Sequence, residues 1–272
     1  PSSIVKRREG LPHAQTVQEA VHIAREFGEA GDFHKAHDEL ADFVSSHGIN
    51  PAAIEAGMLI IRIASDYDKS TGQKPENMLW ECEEWAHIMA RHIPDMTHLS
   101  EKSDEHSQMM YSCVKMIYET WTDHAIALIE WKFKANNESF VQRSHVPPQD
   151  LGFLLDVMAT AVKTKLPLDL LRIAYRGVRK CVRVAENAIH FDRDKKRFEG
   201  DVLRIMASPV KDVIPDMQLE IYIDVARAYL DEGDTTNADI FIRQGLLISR
   251  SNKKLLEMRE ELRDLLARST RH

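Results

Sequence analysis

Apolar residues recur every three or four positions along almost the whole chain of 272 residues, and no stretch alternates strictly. That spacing lays apolar side chains along one stripe of a helix, whereas a half-buried strand needs a period of two. The pattern predicts an all-α protein. Helices are expected over Thr16–Glu29, Phe33–Ser46, Pro51–Tyr67, Pro75–Ile93, Lys102–Thr120 and Thr122–Asn136. Six more are expected over Pro148–Lys163, Pro167–Asn187, Lys195–Ala207, Pro215–Asp231, Thr235–Ser249 and Asn252–Ser269. Pro51, Pro75, Pro148, Pro167 and Pro215 stand in first turns, where a missing N–H sacrifices no intrahelical bond. The longer connections run over Lys69–Lys74, Asn136–Pro148 and Ser208–Pro215.

One skeleton occurs twice at a constant offset of 202 residues, in AREFGEAGDFHKA (24–36) and ARAYLDEGDTTNA (226–238). The shared positions are Ala24 and Ala226, Arg25 and Arg227, Phe27 and Tyr229, Gly31 and Gly233, Asp32 and Asp234, Ala36 and Ala238. The small residues let two antiparallel helices approach, and the aromatic fills the wedge between them. Gly permits the left-handed conformation that ends the first helix, and Asp caps the second. Both stretches resemble tetratricopeptide repeats, helix-turn-helix units of roughly 34 residues. The match covers residues 16–49 and 218–251, and the interior hairpins lack the full series.

The resemblance implies a right-handed α–α superhelix of stacked hairpins, irregular in the middle. A hairpin of this size cannot bury its apolar face alone and must stack on neighbours. The expected organisation is an N-terminal extension over 1–15 and a single repeat domain over 16–272. A capping helix over 252–269 closes it, with Leu255, Met258, Leu262 and Leu265 on one face. By resemblance, such proteins are non-enzymatic scaffolds that hold a partner's peptide on the first helices of each pair. One subtype grips a carboxylate with Lys and Asn on those helices. The matching positions here are Val21 and Arg25, then Ile223 and Arg227, so that clamp is not implied.

Charge sharpens the picture locally. The chain carries a net −7, yet Lys163–Arg197 holds eleven Lys or Arg against four Asp or Glu, a local +7. Arg172, Arg176, Arg179 and Arg183 form a row on one helix face, opposite Leu171, Ala174, Val178, Cys181, Val182 and Ala185. Like charges so spaced repel and call for compensation. Three readings stay open: an internal charge network, a surface for a partner protein's acidic segment, or a contact to phosphates. The last would make the chain an organellar RNA-associated helical protein using residues 167–186. Guanidinium forks suit either kind of partner.

Other candidates are weaker. Glu84 and His87 have the spacing of one half of a di-iron carboxylate site, but no second such motif occurs. Cys82, His87, His92, His98 and His106 are neighbours in sequence without zinc-site spacing. Trp80, Trp85, Trp121 and Trp131, with Met89, Met109, Met110 and Met116, read as interhelical core. No Gly-rich phosphate loop, nucleophile elbow or zinc-protease motif is present, so no enzyme and no cofactor are expected. Three widely spaced cysteines predict a reducing intracellular compartment, cytoplasm or organelle matrix, and Cys181 reads as a buried thiol. The longest apolar run, Ala56–Ala64, is broken by Arg62, so no membrane insertion is expected.

Overall fold

The computed structural model describes residues 15–71, 84, 85, 88, 91, 96, 99, 104–135, 152–186, 192–210 and 215–269. These form α1 (Val17–Glu29), α2 (Phe33–His47), α3 (Pro51–Thr71), α4 (Glu105–Ala135) and α5 (Gly152–Lys163). There follow α6 (Leu168–Glu186), α7 (Asp192–Val210), α8 (Pro215–Glu232), α9 (Thr235–Ile248) and α10 (Lys253–Ser269). No strand occurs among the described residues. None of the described helices is long and apolar enough to cross a membrane. The chain divides into two compact units, Pro1–Trp131 with Thr164–Gly177, and Lys132–Lys163 with Val178–His272. The boundaries between the units fall within α4, at the end of α5 and within α6.

Several boundaries differ from expectation, and α3 runs to Thr71, four residues past its predicted end. Residues 102–136 were predicted as two helices parted near Trp121, but α4 is continuous from Glu105 to Ala135. Thr122 does not interrupt it, because its hydroxyl donates to the Tyr118 carbonyl at 2.9 Å, one turn back. Helix α7 begins three residues earlier than predicted and passes Pro209 before ending at Val210. A proline in the last turn removes one backbone bond and leaves no further helix to disrupt. The predicted helix over Pro75–Ile93 lies largely outside the described residues.

In the first unit, α1, α2 and α3 pack on one another around Ala20, Ile23, Ala24, Phe27, Ala36 and Leu40, all buried. The turn from α1 to α2 is specified atom by atom. Gly31 takes φ 81°. Its N–H bonds the Gly28 carbonyl at 3.0 Å, and the Asp32 N–H bonds the Phe27 carbonyl at 2.9 Å. The Asp32 carboxylate then accepts from the Lys35 N–H at 3.4 Å and pairs with the Lys35 ammonium at 2.9 Å. Gly28 lies on the side of α1 that packs on α3, where an added side-chain carbon would make an ordinary van der Waals contact with Ile60 at 3.5 Å.

The second unit repeats this construction between α8 and α9. Gly233 has φ 86°. The Asp234 N–H reaches the Tyr229 carbonyl at 2.9 Å, and Asp234 accepts from the Asn237 N–H at 3.0 Å. Ala226, Tyr229 and Ala238 are buried like their counterparts. The correspondence also runs further than the sequence pattern showed. Helices α2 and α9 begin 202 residues apart at Phe33 and Thr235, and α3 and α10 begin 202 apart at Pro51 and Lys253. Asn50 and Asn252 precede the third helices, and their side chains accept from the Ala52 and Leu255 N–H groups. Each copy is therefore a helical hairpin followed by a third helix in the same register.

The two copies differ on their outer faces. Helix α8, which packs against α7, buries Met217, Ile221 and Ala228. The matching positions in the first unit are Gln15, just before α1, and Glu19 and Glu26 on it, all of them polar and none buried. Conversely, α3 buries Met58 and Ile61, where α10 exposes Glu260 and Arg263, joined by a 2.7 Å ion pair. Leu255, Met258 and Leu262 form the buried stripe of α10, and Leu265 lies at its edge.

The turn glycines yield a first prediction. A side-chain carbon at Gly31 or Gly233 would meet nothing within 4 Å, so any penalty there is backbone strain alone. Gly31→Val and Gly233→Val should each lower the unfolding free energy by about 1–3 kcal/mol. Urea denaturation measures this, and unchanged midpoints in both variants would contradict the left-handed conformation.

Candidate charged site on helices α6, α7 and α8

The apolar stripe of α6 is where periodicity placed it: Leu171, Ala174, Val178, Cys181, Val182 and Ala185 are all buried. The opposite face turns its arginines outward to different degrees. Arg176 and Arg183 are exposed, as is Lys180 beside them, and Arg172 is half-buried with a partner of its own.

Arg179 is held internally. One of its terminal nitrogens lies 3.1 Å from Asp224 on α8, and the other 3.5 Å from Glu199 on α7. Glu199 is almost fully buried and also takes the Lys196 ammonium at 3.2 Å. A little further along, Arg197 approaches the buried carboxylate of Glu232 at 3.9 Å. The second-unit part of α6 is thus tied to α7 and α8 by alternating charges. Pairing offsets the cost of taking Glu199 out of water, and removing one partner would leave an uncompensated buried charge.

Glu186, the last residue of α6, sits at the edge of this cluster. One of its carboxylate oxygens is buried and finds no hydrogen-bond partner among the described residues. Burial first, and then the neighbouring Glu199 carboxylate, push its carboxyl up to about 7 from the ordinary 4.5, against the pull of Lys196, Arg183 and Lys195. Glu186, Glu199 and Asp224 were not singled out from the sequence. Nothing in linear spacing reveals a carboxylate that meets its partner across a helix interface.

The buried hydroxyl of Tyr229 donates to Asp201 at 2.8 Å, and its ring lies on Gly200, where an added carbon would come within 3.1 Å of the ring edge. The aromatic of the repeated skeleton therefore also docks α7 onto α8. In the first unit, Tyr111 donates to Asp169 at 2.8 Å, which links α4 to the first turn of α6. Burial and that bond push its hydroxyl up to about 12. Trp85 and Trp121 are buried, as core residues are. Burial also raises the Cys113 thiol to about 11, which disfavours its thiolate, and Cys113 and Cys181 are both buried and outside any disulfide.

Among the other candidates, Glu84 lies 4.0 Å from Arg91. Cys82, His87, His92 and His98 fall outside the described residues, as do Trp80 and Met89. Among the described residues, no group of three or more His, Cys, Asp or Glu side chains is placed to hold a metal ion. Comparison with protein-family models, with curated proteins and with solved structures finds no match to this chain.

Glu186 generates a prediction about pH. Between about pH 4.5 and 7 the folded chain keeps a proton on Glu186 that the unfolded chain has released. Its contribution to stability is therefore highest below that window, declines as pH rises through it, and levels off above about 7. Glu186→Gln should remove this decline and melt above the parent at pH 8. Calorimetry across the pH range tests it, and parallel curves for the two chains would show that the carboxyl titrates normally.

Proposed function

We propose that this chain is a non-enzymatic protein–protein interaction scaffold built from tetratricopeptide-like hairpins, working as one subunit of a larger complex. The observation that carries the reading is the three-helix unit that recurs in one register at both ends of the described chain. It has the same turn glycines, the same Asp and Asn caps and the same buried small residues. Units of this kind supply rigid helix faces whose outward residues can vary freely while the inward ones hold the packing.

The exposed cations of α6 favour an acidic protein segment over nucleic acid. Arg176, Lys180 and Arg183 are exposed, but the rest of the chain outside 163–197 sums to −14. Such a charge repels long phosphate backbones that must approach from solution. A short acidic segment needs only the local field. Arg179 is not part of that surface in this reading, since Glu199 and Asp224 already engage it.

The test compares the two classes of partner. Single-stranded RNA of mixed sequence, followed by fluorescence anisotropy, should bind no tighter than about micromolar near about 150 mM salt. Nanomolar RNA affinity, with the salt slope falling by about one for each exposed arginine removed, would sink the scaffold reading. Arg176→Glu with Arg183→Glu should release the protein that co-purifies with the parent from native cells, without lowering the melting temperature.

A further inference from the structure

The recurring three-helix unit allows one copy to be read against the other, residue by residue. In the second unit Arg227, on α8, meets Glu261, on α10, through two bonds of 3.1 and 2.8 Å and leans on Asp231 at 3.4 Å. The first helix of that unit thus has its outward guanidinium satisfied by the third. Arg25 is the counterpart of Arg227 in the first unit. It is exposed, and it makes no ion pair among the described residues, not even with Glu29, the counterpart of Asp231.

The missing carboxylate has a specific replacement. The position matching Glu261 is Leu59, on α3, which is 39% exposed. Helices α1 and α3 touch directly, with Gly28 against Ile60 one residue beyond Leu59. Leu59, Ile63 and Tyr67 follow one another at single-turn spacing along α3, none of them buried, with Tyr67 48% exposed. The matching residues of α10 are Glu261, Leu265 and Ser269, a more polar row. The first unit therefore presents a guanidinium without an ion pair among the described residues, and an apolar row, where the second unit has closed the same place with its own glutamate.

We infer that this face of α1 and α3 binds an acidic, apolar segment of a partner protein, whose carboxylate takes on Arg25 the place that Glu261 takes on Arg227. The inference rests on the scaffold reading and adds to it a second surface, separate from the cations of α6. Charge complementarity selects the occupant. A guanidinium fork accepts a carboxylate in two parallel bonds, and the apolar row beside it rewards a flanking aliphatic or aromatic side chain.

The second unit also supplies the test. Leu59→Glu introduces a carboxylate at the position of Glu261 and should close the site from within, while Arg25→Gln removes the cation. A phage-displayed library of random short peptides is selected on the full-length chain, and the enriched peptides are synthesised with a fluorophore. Peptides that carry a carboxylate beside apolar residues should emerge and weaken by about tenfold or more on either variant, both of which should melt with the parent or above it. Enrichment of peptides without acidic residues, binding indifferent to both variants, or no enrichment at all would overturn the assignment. If the native partner stays on both variants yet leaves the Arg176→Glu, Arg183→Glu chain, this face fails while the scaffold reading stands. Nanomolar RNA binding would instead remove the scaffold reading itself.

Discussion

The close approach of antiparallel helices at residues with almost no side chain governs both units. Ala24 and Ala36 flank one turn and Ala226 and Ala238 the other, and all four are fully buried. The helices of each pair are joined by a very short turn, and its backbone takes the left-handed conformation that glycine adopts without strain. From Gly31 and Gly233 the rest follows locally: a bond from the Asp N–H to the aromatic carbonyl, and an Asp side chain that caps the next helix. The aromatic then lies in the wedge. In the second unit its hydroxyl and ring carry the constraint outward to Asp201 and Gly200 on α7.

Features that depend on neighbours within a few residues were legible in the sequence. Helix periodicity, first-turn prolines and the glycine turns all act over one or two turns of chain, and the described helices follow them. The failures share a cause. Residues 102–136 were read as two helices, but the chain stays helical across Thr122, whose hydroxyl returns to the Tyr118 carbonyl one turn back. The third helix of each unit was predicted, but its correspondence was not, because that correspondence lies in an asparagine cap and a pattern of burial, with few identical residues. At the charged cluster, Arg179 was visible as one of four equivalent arginines. Only the packing of α7 and α8 distinguishes it, by bringing Glu199 and Asp224 to its guanidinium.

That cluster also shows how the second unit sets its helix register. Apolar stripes tolerate sliding by a residue, because one aliphatic contact resembles another. A guanidinium held at 3.1 Å by one helix and 3.5 Å by another does not. The buried charges are an uncertain source of net stability once desolvation is counted, but a slipped arrangement would strand them without partners. Glu186 marks the edge of this economy, a carboxylate half withdrawn from water with too little in return.

The polar residues on α1 and α10 have a consequence for what can dock on them. The Glu260–Arg263 pair on α10 stands in water, as does Glu19 on α1. An apolar surface pressed on either helix would strip that water without replacing its hydrogen bonds. Each helix is thus guarded on one side against indiscriminate apolar contact, within its own unit and by its own side chains.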